Sequence, residues 1–371
     1  MILKNCTYFG KSFEKETGDI KIENGIITEI GNIHEQGRDM TGKLILPGFV
    51  DIHMHGCGGG DSCDKDEQSL DKITKSLAKK GITSFCPTTM TLPVETLVEI
   101  ADFISSYSTK GSKIVGINLE GPFIALSKKG AQNGDYVVPG TIDKFDKIFN
   151  ASNGLVKLIT IAPEAFESED FIKYVSQKCT VSIGHSAADS IQAQKAIENG
   201  ISHATHLFNA MTPMTHREAG IAGTVLDNDH VTCEIICDTE HVCPAVLRNT
   251  FKILGEDRAC VISDSMRGAG LGKGEFELGG QTVYVKDGYK VAKLEDGTIA
   301  ASITNVYDEF KNLLNIGIDF KTALKACTIN PAKAIKEDKN IGSIEVGKAA
   351  DMIVTNENLE IEEVYINGTL Y

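Results

Sequence analysis

His53-Met54-His55 closes an apolar run that begins at Leu44, and a glycine-rich segment, residues 56–61, follows at once. Side chains on a strand alternate faces, so His53 and His55 point the same way. Two imidazoles on one face at a buried strand's end are placed to share a metal ion, or merely to close the strand with polar residues. Further candidates stand where other β-branched runs end. Glu120 closes residues 114–120, just before Gly121-Pro122. His185 ends 180–185, His206 lies near the end of 203–207, His241 follows 233–237 and Asp264 follows 260–263. Singly, each has an ordinary role: Glu120 at a helix N-terminus, His185 or Asp264 as a helix cap. Together they form a donor set. A carboxylate and two imidazoles leave an open position on a metal, the mark of a catalytic rather than a structural site. Water bound there has its pKa lowered toward roughly 7. Asp264 is suited to take a proton from that water and return it to a leaving amine. His241 is suited to donate to a carbonyl oxygen as negative charge develops. His203 faces away from His206 by the period-two rule and reads as structural, while His34, His216 and His230 read as surface or supporting residues. Arg217, in Thr215-His216-Arg217-Glu218, is one of few cations near these strand ends and suits a phosphate.

The elements that must position these residues are eight strand-like runs: 49–53, 82–88, 114–120, 156–161, 180–185, 203–207, 233–237 and 260–263. Most are separated by helical stretches. The clearest helix is 186–200, with Ser186 at the cap position and Gly200 at the close. Eight β units joined by helices predict an α/β fold, a (β/α)8 TIM-like barrel whose C-terminal strand ends converge on the active site. An open doubly wound sheet is the alternative. It lacks a glycine-rich dinucleotide fingerprint leading from the first strand into a helix. Residues 1–43 read as short strands with a hairpin at Asn24-Gly25. Residues 275–299 read as a hairpin excursion, 302–316 and 320–335 as helices, and 350–354 and 361–366 as strands. The expected division is a small β domain from 1–45 and 345–371, with the barrel, 46–344, inserted between them.

A formal net charge of -14 argues against broad nucleic-acid or anionic-membrane binding, though not against an anionic substrate held by one or two local cations. No apolar run reaches membrane-span length, and residues 1–10 lack the pattern of a secretory leader. The ten cysteines are scattered without a CxxC pair, which predicts reduced, mostly buried thiols in a cytoplasmic protein.

The motifs LPGFVDIHMHG, NLEGPF, IAPE, IGHS, THLFNAM followed by HRE, and ADMIV occur in this order over nearly the whole chain. They resemble the N-acetylglucosamine-6-phosphate deacetylases of the amidohydrolase superfamily. The resemblance implies a distorted (β/α)8 barrel with a small β-sandwich built from both termini. It implies hydrolysis of a sugar's 2-acetamido group, giving glucosamine 6-phosphate and acetate. It also implies a divalent metal, one or two ions per subunit, zinc or iron. Glu120, His185 and His206 match the main ligands. His53 and His55 are kept as in two-metal members, with Glu120 bridging and Asp264 serving as ligand and acid/base. His241 matches a carbonyl contact. Ala131, Gln132, Asn209, Ala210, Arg217, Ile299, Ala300 and Ala301 match substrate contacts. A homodimer is implied, with some phosphate contacts coming from the neighbouring subunit.

The chain departs from the family's pattern at substrate-facing positions. Gln132 stands where a histidine is usual, Glu240 adds charge beside His241, and Ala301 replaces a common glycine. Ser263-Asp264-Ser265 replaces Thr-Asp-Ala, and Arg267 nearby is a candidate to replace lost cationic contacts. A related N-acetylhexosamine phosphate, such as the galacto epimer, therefore stays open as substrate. So do two remoter readings. One is an amidohydrolase of cyclic amides or nucleobases, weakened by the absence of a bridging lysine in 158–164. The other is a catalytically silent sugar-phosphate-binding protein, weakened by the full ligand set.

Overall fold

The computed structural model describes residues 1–166 and 170–371. Strands from both chain ends share one eight-stranded sheet. Leu44–Pro47 joins them, pairing parallel with Ile2–Phe9 and antiparallel with Met352–Thr355. Asn24 and Gly25 both have positive φ (51° and 81°), the backbone that a tight hairpin turn between Lys15–Glu23 and Ile26–Gly31 requires. Leu3, Ile20, Ile22, Ile27, Ile45, Met352, Val354 and Tyr365 form a core of their own. A bridge from Ile26 to Ala349 carries the sheet edge back toward the C-terminal strands. The strands of both chain ends thus form the expected small β unit around that core.

The barrel strands are β1 (Phe49–Met54), β2 (Ile82–Thr89), β3 (Ile117–Glu120), β4 (Val156–Ile161), β5 (Thr180–Ile183), β6 (His203–Ala204), β7 (Thr232–Ile235) and β8 (Ala259–Val261). Each pairs parallel with the next from β1 through β8. The expected strand 114–120 is split, because Lys113–Ile114 and Ile117–Glu120 are separate segments that both pair with β2. Across the seam between β8 and β1, Asp264 N–H donates to His53 O (2.9 Å) and His55 N–H to Ser265 O (2.8 Å). Asp51 accepts the Ser263 hydroxyl there at 2.6 Å. A nearly closed parallel barrel results, its strands buried on both faces as their β-branched runs require.

Three expected elements have different bounds. The helix after β5 runs Ser190–Glu198 and is capped by Asp189, whose carboxylate accepts from Gln192 N–H while the Gln192 side chain returns the bond. Ser186 instead donates to Glu164 (2.7 Å). The helix expected over 320–335 is two, Phe320–Cys327 and Ile329–Ala334, because Pro331 cannot donate back to Cys327. The helix expected from residue 302 starts at Val306, capped by Asn305. The excursion is a four-stranded antiparallel sheet, Gly274–Leu278, Gln281–Val285, Val291–Lys293 and Ile299–Ser302. Its core, including Val283, Val285 and Ala292, packs on Met90 and Met266, which follow β2 and β8. That contact seats the excursion at the mouth of the barrel.

Candidate metal centre and active site

The C-terminal strand ends converge as the alternation of strands and helices predicts. His53 lies in β1 and His55 just beyond it; Glu120 is the last residue of β3. The other ligands stand past their strands. His185 is two residues beyond β5, His206 two beyond β6 and Asp264 three beyond β8. All three have left-handed backbone, with φ of 47°, 27° and 45°. Such a conformation costs a non-glycine residue about 1–3 kcal/mol and persists only where the surroundings enforce it, most often at functional sites. Glu164, of the IAPE motif, holds the loop after His185 by accepting from the Ser186 hydroxyl and the Ala187 N–H.

Two groups of ligand atoms result: His53, His55 and Asp264, and Glu120, His185 and His206, all buried. Glu120 touches both. Its Oε1 lies 3.1 Å from His185 Nε2 and 2.9 Å from His206 Nε2, while its Oε2 lies 3.2 Å from His55 Nε2. Asp264 Oδ1 lies 3.3 Å from His55 Nε2. Donor counting tests whether a cation fits. His53 Nδ1 faces Glu234 Oε2 (2.9 Å) and His185 Nδ1 faces the Lys128 carbonyl (2.8 Å). Both partners only accept, so both Nδ1 atoms carry a proton, and in its neutral form each ring presents a bare lone pair at Nε2. Those lone pairs point at carboxylate oxygens, and His206 Nε2 and His185 Nε2 face each other at 3.2 Å. Acceptors held against acceptors in a buried site require a proton or a cation between them. Mixed imidazole and carboxylate donors suit a divalent metal.

The electrostatics agree. Burial pushes Glu120's carboxyl up, but His53, His185 and His206 outweigh it and hold the group well below the usual carboxylate range. Burial would lower His55, yet its hydrogen bonds to Asp264 and Glu120 bring it up to about 9. Asp264, pushed up by burial, is held low by His55 and His53.

One organising residue escaped the sequence reading. Glu234, in β7, is fully buried. Its Oε2 faces His53 Nδ1 and accepts the His206 N–H (3.2 Å), and its Oε1 lies 3.4 Å from His203 Nε2. It fixes the tautomer of a ligand in one group and the backbone of a ligand in the other. A charged residue inside the apolar run Cys233-Glu234-Ile235-Ile236-Cys237 was the available signal. His203 is structural, as expected, with Thr232 on its other nitrogen (2.6 Å).

A cavity of about 300 Å³ opens over the ligands. His55, Glu120, His185, His206, His241 and Asp264 line it, together with Ala131, Gln132, Asn209, Ala210, Ile299 and Ala300. His241 Nδ1 donates to Asp238 Oδ2 at 2.7 Å, which turns Nε2 away from that carboxylate. Three residues expected near the substrate do not line this cavity in the single chain. Arg217 is exposed and lines a separate groove with Ser190, Met214 and Arg258, because Thr215–Glu218 hydrogen bonds fold its loop onto the outer surface. Ala301 is buried in the excursion's core rather than lining the cavity. Arg267 is spent on Asp61, Asp64 and Glu277. Glu240 is offset by Lys290 at 3.0 Å. Lys128 lines the cavity, and apart from the histidines it is the only cationic side chain among the described residues that do so.

Comparison with known proteins gives the chain's family. The amidohydrolase family model matches residues 44–371. N-acetylglucosamine-6-phosphate deacetylase of Bacillus subtilis is 34% identical over 88% of this chain and 84% of its own. N-acetylgalactosamine-6-phosphate deacetylase of Escherichia coli O157:H7 is 28% identical over 95% and 94%. A solved N-acetyl-D-glucosamine-6-phosphate deacetylase from Mycobacterium smegmatis, an Asp-to-Ala variant in complex with N-acetyl-D-glucosamine-6-phosphate, superposes with a TM-score of 0.92. It is 26% identical, covering 100% of this chain and 98% of its own.

Proposed function

Because the chain belongs to the amidohydrolase family, and within it to the N-acetylglucosamine-6-phosphate deacetylases, we propose that it hydrolyses N-acetylglucosamine 6-phosphate to glucosamine 6-phosphate and acetate. The observation that carries this reading is the pair of ligand groups meeting at Glu120 on the floor of a sugar-sized cavity. Glu120, His185 and His206 would hold one divalent ion, and His53, His55 and Asp264 a second. Zinc or iron suits this donor set. A bound metal supplies a Lewis acid for the amide carbonyl and lowers the pKa of water.

The chain's own residues do the rest. Asp264 takes a proton from water as its oxygen bonds to the acetyl carbon, then delivers it to the nitrogen as the C–N bond breaks. Acetate and the free amine result. His241 donates from Nε2 to the carbonyl oxygen as that oxygen gains charge. Because Asp238 accepts from Nδ1, this donation requires a proton on both ring nitrogens. Lys128 is the cation best placed for the phosphate, with Asn209, Ala210, Ile299 and Ala300 around the sugar. Arg217 is left to reach a neighbouring copy's cavity in a homodimer. The division into 1–45 with 345–371 and 46–344 belongs to this reading, supported by the separate sheets. So does a cytoplasmic location, supported by ten unpaired cysteines. No helix among the described residues is long and apolar enough to cross a membrane.

The galacto epimer is the second reading, favoured by the Escherichia coli relative and by the altered substrate-facing positions. Acetate release from acetamido sugars in gluco, galacto and manno forms, each with and without a 6-phosphate, tests both. The 6-phosphorylated gluco sugar should give the highest kcat/KM. A galacto preference would transfer the assignment to that epimer, and no metal-dependent release from any of them would overturn it.

A further inference from the structure

Gln132 occupies a position where the sequence resemblance implies a substrate contact, and its side chain is bound at both ends to the protein. Its Oε1 accepts the Thr91 backbone N–H at 2.6 Å, and its Nε2 donates to Glu120 Oε2 at 2.6 Å. The orientation of the amide follows from chemistry. A backbone N–H can only donate, so the oxygen must face Thr91 and the NH2 must face the carboxylate. The residue is 3% exposed. Its loop is clamped from both sides. Gln132 N–H donates to Lys129 O (2.9 Å), and Gln281, from the excursion, donates to the Ala131 carbonyl. The Lys128 carbonyl in the same loop accepts from His185 Nδ1 and so turns that ligand's Nε2 inward. One short loop therefore orients two members of the first ligand group, Glu120 and His185.

The contact also selects between two attitudes of Glu120. With Oε1 against His185 and His206, Oε2 is free to rotate unless something holds it. Gln132 holds it toward His55, 3.2 Å away, while Oε1 stays against His185 and His206 and 3.4 Å from His53. We propose that Gln132 is a positioning residue of the metal centre, which keeps Glu120 spanning both ligand groups and is thereby withdrawn from gripping the substrate's phosphate.

The proposal rests on the metal-dependent reading of the site. Its decisive measurement, uptake of zinc by the metal-free protein, requires no substrate and so can fail independently of that reading. Gln132→Met removes the donor at nearly constant volume, and Gln132→Ala removes it without filling the space. The parent should take up two ions per chain. Both variants should bind the first ion as the parent does and the second about 10–100-fold more weakly, the usual effect of losing an outer hydrogen bond to a ligand. Circular dichroism of the metal-free forms checks that they fold. With acetamido sugars, kcat should fall, while the ratio of KM for phosphorylated and unphosphorylated forms stays as in the parent. Unchanged affinity for the second ion, a parent that takes up only one, or a KM increase confined to phosphorylated sugars would each overturn the proposal.

Discussion

Glu120 is ionised although buried, because the imidazoles around it favour its charged form, and the carboxylates in turn draw His53 and His206 upward. With His55 brought up to about 9, its ring is protonated at neutral pH in the metal-free protein, and an incoming cation must displace that proton. Metal uptake at pH 7 should therefore release protons. Apparent affinity should rise with pH toward about 9 and fall on acidification. Calorimetry in buffers of different ionisation enthalpy measures the released protons directly, and an enthalpy independent of buffer would contradict the assignment. Glu234 works one bond further out, where a carboxylate fixes a ligand's tautomer. Glu234→Gln keeps the shape and removes the charge facing His53 and His203. Metal affinity should drop by about 10–100-fold, as measured by competition with a chelator.

At the level of elements, the ligands depend on how strands end. β6 is only two residues long, so His206 is aimed by the left-handed turn after it and not by strand alternation. Close packing of the neighbouring strand ends fixes those turns. A Cβ on Gly184 would lie 2.6 Å from Thr205 Cβ and 2.8 Å from Thr160 Cγ2. Gly184 precedes His185 and Thr205 precedes His206, so Gly184→Ala pushes directly between two ligands. It should destabilise the fold by about 1–3 kcal/mol, the usual cost of overpacking. Metal content should fall with it. A variant that melts like the parent and carries its full metal complement would show that the strand ends can give way.

Across the whole molecule, the terminal sheet has its own electrostatic anchor. Lys4 bonds Asp19 at 2.6 Å, and the Asn5 and Ile33 N–H groups donate to the same carboxylate at 2.9 Å. The Lys4 bond foremost, then those N–H groups, hold Asp19 at about 2 against an ordinary 3.8. A carboxyl depressed in the folded state adds stability above its ordinary pKa and loses it as pH falls through the folded value. Thermal melts from pH 6 to pH 2 should show that loss mostly below pH 4, and Asp19→Asn should lower the melting point at neutral pH and flatten the profile. Much of the architecture was legible without coordinates, because β-branched runs and glycine-capped helices have periods that local sterics impose. His53, His55, Glu120, His185, His206 and Asp264 were legible as a set because each follows such a run. Local patterns could not say that Arg217 faces outward, that Ala301 is core, that Arg267 is already paired, or that Glu234 and Gln132 face the ligands. Several of those outcomes depend on contacts between residues far apart in the chain, such as Glu234 with His53 and Arg267 with Asp61. The amino-acid order alone determined which groups could bind metal and move protons. Only the tertiary structure decided which of their neighbours hold them in place, because a hydrogen bond exists only where the folded chain brings donor and acceptor together.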